Sequence, residues 1–128
     1  MAGAVSMGET KIRAARGAIC VAEDSAESVL AASERLVSAM LERNAACGED
    51  VVSIFFTATR DLRSAFPAEA ARRIGLGRVP LLCAQEIPVE GSMPRVVRAL
   101  MHFYTRRAQG EVEHVYLDGA ESLRDDLV

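Results

Sequence analysis

Two charged residues of this chain stand where charge is expensive. Glu86 follows Leu81, Leu82 and Ala84 and precedes Ile87, and Arg98 lies among Val96, Val97, Ala99, Leu100 and Met101. Burying either charge without a partner costs several kcal/mol, so each is a candidate for a site rather than for stability alone. On a strand, Arg98 shares a face with Val96 and Leu100, so its head group is either paired or turned toward a pocket. Arg16, which precedes Gly17 after a mostly apolar stretch, is a third candidate, although an arginine at a strand end is often simply solvated. Tyr116, between Val115 and Leu117, reads as a half-buried strand tyrosine. Arg124, in a polar tail, reads as a surface arginine.

Nucleophilic chemistry finds little support. Cys83 stands three residues before Glu86, so on a strand their side chains point to opposite faces. Cys83 then suits core packing, with its backbone available to a ligand. A reactive thiolate needs an electropositive neighbour and usually a histidine base. The two histidines, His102 and His114, have no spacing that ties either to Cys83 or to a metal. Gly75-Leu-Gly77 lacks the Lys-Ser/Thr of a phosphate loop. Charge and shape remain. Several arginines with one glutamate suit a small, doubly charged anion that carries a hydroxyl. Planar guanidinium forks grip carboxylates in pairs, and the glutamate accepts a hydrogen bond from the hydroxyl.

The bulk composition sets the frame for these residues. A chain of 128 residues, half of them hydrophobic and 26% charged, suits one globular domain with one core. Its net charge of −3 supplies no basic stripe for nucleic acid. Its apolar runs fall far short of the roughly 20 residues that span a bilayer, so no membrane partner is expected. Residues 1–10 lack a signal-peptide pattern and read as a flexible extension, with the cytoplasm as the default location. Three cysteines at wide spacings form neither a disulfide framework nor a zinc knuckle. Fourteen arginines accompany a single lysine, Lys11, near the start, so imine chemistry on a lysine is not expected.

The elements that must position the charges follow from periodicity. Lys11 to Cys20 fits a strand with Ile12, Ala14, Arg16 and Ala18 on one face. Asp24-Ser-Ala-Glu27 resembles a capping box opening a helix, whose stripe carries Val29, Leu30, Leu36, Val37, Met40 and Leu41. That helix is expected to end near Cys47-Gly48. Val51 to Thr57 is a β-rich run. Pro67 opens a short helix through Arg73, with Gly75 beyond it. Strands are expected over Pro80 to Ile87, Pro94 to Tyr104 and Val112 to Leu117. The order β-α-β-α-β-β-β is an α/β or α+β layer fold, a mixed β-sheet packed with one long helix and one short helix. The long helix covers one sheet face. A homo-oligomer would cover the other.

The residues also match a pattern. The chain resembles the AroH-type chorismate mutases, almost end to end from Ile12 to Leu127. The motifs are Arg13-Ala-Ala-Arg16-Gly17-Ala18, Thr57-Ala-Thr59, Asp61-Leu62, Phe66-Pro-Ala-Glu-Ala-Ala-Arg72, Pro80-Leu-Leu-Cys83-Ala-Gln-Glu86, Arg98, His114-Val-Tyr116-Leu117 and Leu123-Arg124. Any one is weak, but all in this order and spacing are specific. The resemblance implies a trimeric pseudo-α/β barrel with sites in the clefts between chains. It implies the rearrangement of chorismate to prephenate, in aromatic amino-acid biosynthesis, with no cofactor. Arg98, Glu86 and Arg16 would be catalytic, and Tyr116 would line the substrate site with them. Glu86 would meet the substrate hydroxyl, and Cys83, flanked by Leu82, Ala84 and Gln85, would contribute largely through its backbone. Phe66 and Arg72 would sit at the mouth. The tail from residue 118 to 128, with Leu123 and Arg124, would close over it, leaving residues 11–117 as the domain proper.

Some positions depart from the pattern. Residues 1–10 extend beyond the usual start, Arg60 stands where proline is frequent, Glu69 where a basic residue also occurs, and Ile19-Cys20 replaces a polar pair. None removes a named site residue. Two other readings use similar groups. The trimeric RidA-like enamine/imine deaminases also grip a carboxylate with an interfacial arginine, but they do not need Glu86, Arg98 and Arg124 together. A non-catalytic trimer that binds a metabolite would use the same residues, since binding and catalysis share them.

Overall fold

A computed structural model describes residues 9–127, and the element order is β1 (Lys11–Cys20), α1 (Ala26–Arg43), β2 (Val51–Ala58), α2 (Pro67–Arg73), β3 (Leu81–Gln85), β4 (Val96–Thr105) and β5 (Val115–Leu117). The expectation of a flexible segment over residues 1–10 lies, for 1–8, outside the described residues. A single mixed sheet has the strand order β3-β2-β4-β1-β5. β4 runs antiparallel to both β1 and β2, while β2/β3 and β1/β5 are parallel pairs. The expected α+β architecture is therefore the observed one.

One face of the sheet is closed by α1. Val29, Leu36, Val37 and Met40 of the helix are buried with Ala15, Ile19, Ile54, Phe56, Met101 and Phe103 of the strands. Gly17 permits this close packing, because a Cβ there would lie 2.6 Å from Met40 Sδ and 3.0 Å from Leu36 Cδ1. The opposite face leaves Ile12, Phe55, Leu82 and Tyr104 substantially exposed. Such a row of apolar side chains is characteristic of a surface that meets another chain.

Several boundaries differ from those expected, each because a side chain takes over a backbone hydrogen bond or a proline withholds one. The N-cap of α1 is Ser25, not Asp24. Ser25 has extended dihedrals and its Oγ accepts from the Ser28 N–H at 3.1 Å. Asp24 instead accepts the N–H groups of Arg63 and Ser64, tying down the loop after β2. The helix ends at Arg43 rather than near Gly48. Ala45 takes the left-handed conformation at φ 51, and Ala46 N–H and Ala45 N–H return to the carbonyls of Leu41 and Glu42. This is a Schellman motif with alanine where glycine is usual. The buried Asn44 reinforces it by donating to the carbonyls of Met40 and Glu113. β5 starts at Val115 rather than Val112, because Glu113 N–H goes to Asn44 Oδ1 instead of to a strand. β3 starts at Leu81 after Pro80 and stops at Gln85, and β4 starts at Val96; Pro80, Pro88 and Pro94 flank these strands and offer no N–H to a ladder.

Candidate active site

The site is built on the open face, at the centre of the sheet. β4 pairs Arg98 with Thr57 of β2 on one side and with Ala18 of β1 on the other. Glu86 follows β3 directly, and its N–H still donates to the Ala58 carbonyl at 2.9 Å, which holds it in the plane of the sheet. The Thr57 hydroxyl donates to Glu86 Oε2, and Arg98 Nε lies 3.0 Å from the same oxygen. The guanidinium and the carboxylate are partly shielded, with side-chain exposures of 36% and 21%. Arg98 Nε is itself buried and makes no aligned hydrogen bond among the described residues. The two observations agree: Nε is close enough to Glu86 for attraction, but its N–H does not point at the oxygen. The pair is thus charge-matched, with Nε enclosed beside the carboxylate.

Around this pair a cleft of about 390 Å³ is lined by Arg16, Phe55, Thr57, Leu100 and Tyr116. Its walls are mostly apolar with a few polar groups among them, as small-molecule sites commonly are. Arg16 reaches it from β1, and Tyr116 is buried on β5 beside Ala18 and Val96. The backbone N–H of Arg16 donates to His114 Nδ1 at 3.0 Å. Burial holds the His114 ring below the ordinary imidazole value, and the charges of Arg16 and Arg124 push it the same way against an opposing pull from Glu113. After β5 a 3-10 helix over Ala120–Leu127 turns back along the sheet edge. It packs the buried Ala120 and the partly buried Leu123 against Ala18, Val96 and Tyr116.

Several other expected site residues lie elsewhere. Phe66, Cys83, Ala84 and Gln85 line a separate cavity of about 780 Å³ with Ala58 and Leu62, near the first turn of α1. Cys83 packs against the core on the helix side, opposite to Glu86, as strand alternation requires. Phe66 is 70% exposed there and Leu82, on the other face, is 62% exposed. Arg72 is exposed on α2. One chain therefore brings Arg16, Glu86, Arg98 and Tyr116 together but holds Phe66, Arg72 and Cys83 apart from them.

Two contributors escape sequence reasoning. Thr57 carries the hydroxyl that fixes the Glu86 carboxylate. Its parity is a usable signal, because Phe56 is buried and alternation turns Thr57 to the face of Phe55. His114 shows no metal-like partner in the sequence, whereas its ring meets a backbone N–H 98 positions away, which no spacing rule reveals.

Comparisons with known proteins give the family. The family description "chorismate mutase type I" matches residues 12–127. The chain is 51% identical over 117 residues to the chorismate mutase AroH of Thermus thermophilus, covering 91% of this chain and 96% of that protein. It is 38% identical over 117 residues to the chorismate mutase AroH of Bacillus subtilis (strain 168), covering 91% of this chain and 92% of that protein. Among solved structures, a chorismate mutase from Clostridium thermocellum superposes with a TM-score of 0.84 at 40% identity, over 85% of this chain and 97% of that one.

Proposed function

The chain belongs to the type I chorismate mutases, and from that premise we propose how its residues convert chorismate to prephenate. It is an isomerase, and the reaction is an intramolecular Claisen rearrangement. One C–O bond breaks and one C–C bond forms, with no proton transferred to the protein. The ether oxygen gains partial negative charge as its bond lengthens. Arg98 meets that oxygen. Its fixed positive charge is in place before the reaction starts, so no reorganisation is needed at the barrier. The Arg98 guanidinium lining the cleft between Arg16, Tyr116 and its charge partner Glu86 is the single observation that carries this assignment.

The other groups hold the substrate compact. Glu86 accepts the substrate hydroxyl through Oε1, since Thr57 and Arg98 both engage Oε2. Arg16 grips a carboxylate, and Tyr116, Leu100 and Phe55 shape the wall. Holding the reacting carbons near one another removes entropy from the barrier before the chemical step. Leu123 and Arg124 close the edge of the cleft from the C-terminal segment.

The functional assembly in this reading is a homotrimer. Two observations support it: the exposed row Ile12, Phe55, Leu82 and Tyr104, and the separation of Phe66, Arg72 and Cys83 from Arg98. A neighbouring copy would bring the second group to the mouth of the first chain's cleft. A cytoplasmic location belongs to the same reading, since unpaired cysteines suit a reducing compartment.

The direct test is the absorbance of chorismate with purified protein, with prephenate identified as the product. Catalysed loss at micromolar protein is expected. Decay at the spontaneous rate would overturn the reading, and so would tight binding without turnover, which would instead favour a metabolite-binding trimer.

A further inference from the structure

The Arg16 backbone N–H meets His114, which is not among the residues lining the cleft. We propose that His114 is a positioning residue for Arg16: its neutral ring accepts the Arg16 backbone N–H and thereby fixes where the guanidinium meets the substrate carboxylate.

The strand ladder leaves a place for such a residue. β1 and β5 pair in parallel only from Gly17 opposite Val115 to Ile19 opposite Leu117. Arg16 lies one residue before that ladder, so β5 offers its N–H no paired residue. His114, one residue before β5, fills the gap with a side chain, and Nδ1 accepts the Arg16 N–H at 3.0 Å. A nitrogen that accepts carries no proton, so the ring is the neutral tautomer with hydrogen on Nε2. The backbone of Arg16 is thus clamped between the β4 ladder, where it pairs with Leu100, and this imidazole. A shift of the Arg16 Cα is amplified at the end of a long side chain, so a clamp at the backbone acts on substrate binding.

The contact also senses acid. Protonated Nδ1 becomes a donor that faces another donor, and the contact turns repulsive. The charged groups facing the ring are Arg16 from β1, Arg124 from the C-terminal 3-10 helix, and Glu113 next to it in sequence. Burial, together with two cations against one carboxylate, keeps the ring neutral to lower pH than an exposed histidine. Arg16 therefore stays clamped at neutral pH and is released only as pH falls below the ordinary value of 6.5. The substrate's carboxylates stay ionised through most of that interval, so their protonation does not mask the effect.

The experiment compares kcat and KM across about pH 4.5 to 8 at fixed ionic strength for the wild type, His114→Asn and His114→Ala. Asparagine places an amide oxygen close to where Nδ1 stood and does not titrate. His114→Ala is expected to raise KM about threefold to tenfold, the scale of one lost hydrogen bond, with kcat changed little. His114→Asn is expected to restore KM at pH 7.5 to within about threefold of wild type and to flatten the acid limb of kcat/KM. An unchanged KM in His114→Ala overturns the proposal. An acid limb that persists in His114→Asn overturns it too, and that variant carries the test if His114→Ala does not fold. The proposal rests on Arg16 binding a carboxylate, so Arg16→Ala is measured alongside. If Arg16→Ala leaves KM unchanged, the site reading itself fails. If it raises KM while His114→Ala does not, only the role of His114 is lost.

Discussion

The two faces of one strand show the division of labour in this protein. Along β4, Val97, Ala99, Met101 and Phe103 are buried toward α1, and the alternate residues Arg98, Leu100, His102 and Tyr104 turn to the open face. The first set is finished within a single chain. It meets helix side chains from Leu36 to Met40 and needs nothing further. The second set is left open within the chain. It presents a charge pair at its centre and exposed apolar groups around it. The same backbone thus carries a folding surface and a working surface one residue apart. What separates them is not propensity but what this chain packs against each.

The contrast can be tested from the buried side first. Phe103→Ala should cost about 3–5 kcal/mol, because the cavity left under α1 cannot collapse fully. Thermal or denaturant unfolding of the variant measures it, and a loss under about 1 kcal/mol would show that the helix face is not the stabilising one. Arg98→Ala, one face over, should destabilise less than Phe103→Ala, through the charge partner that Glu86 loses, and lower kcat by about 10²–10³-fold. Near-wild-type turnover would remove Arg98 from the reacting atoms. Phe55→Ala sits on the open face and is 42% exposed. Its expected effect is weaker self-association, on the order of 1–2 kcal/mol per chain, read by sedimentation against protein concentration. A variant that unfolds instead of dissociating would erase the distinction between the faces.

Two smaller effects sharpen it. Leu123→Ala loosens the C-terminal segment from Ala18, Val96 and Tyr116, and should raise KM about twofold to tenfold with a smaller change in kcat. An unaltered KM would take that segment out of the site. Cys83→Ala should keep most of the activity, since the thiol faces the core rather than Glu86. Loss of turnover in a folded Cys83→Ala protein would mean the sulfur takes part in the chemistry.

The amino-acid order by itself determined the element sequence and the parity of each strand. Hydrophobic alternation depends only on neighbours along the chain, so the face shared by Arg98 and Leu100, and the opposition of Cys83 to Glu86, are legible in the sequence alone. Element ends are less so, because Ser25, Asn44 and His114 each take over a backbone hydrogen bond that local patterns assign elsewhere. The charge partners are not legible at all. That Glu86 meets Thr57 and Arg98, and that the ring of His114 meets Arg16, follows from the strand order β3-β2-β4-β1-β5. Hydrogen bonds and ion pairs act over a few ångströms in space. Only the folded sheet brings positions 29 and 98 residues apart to that distance.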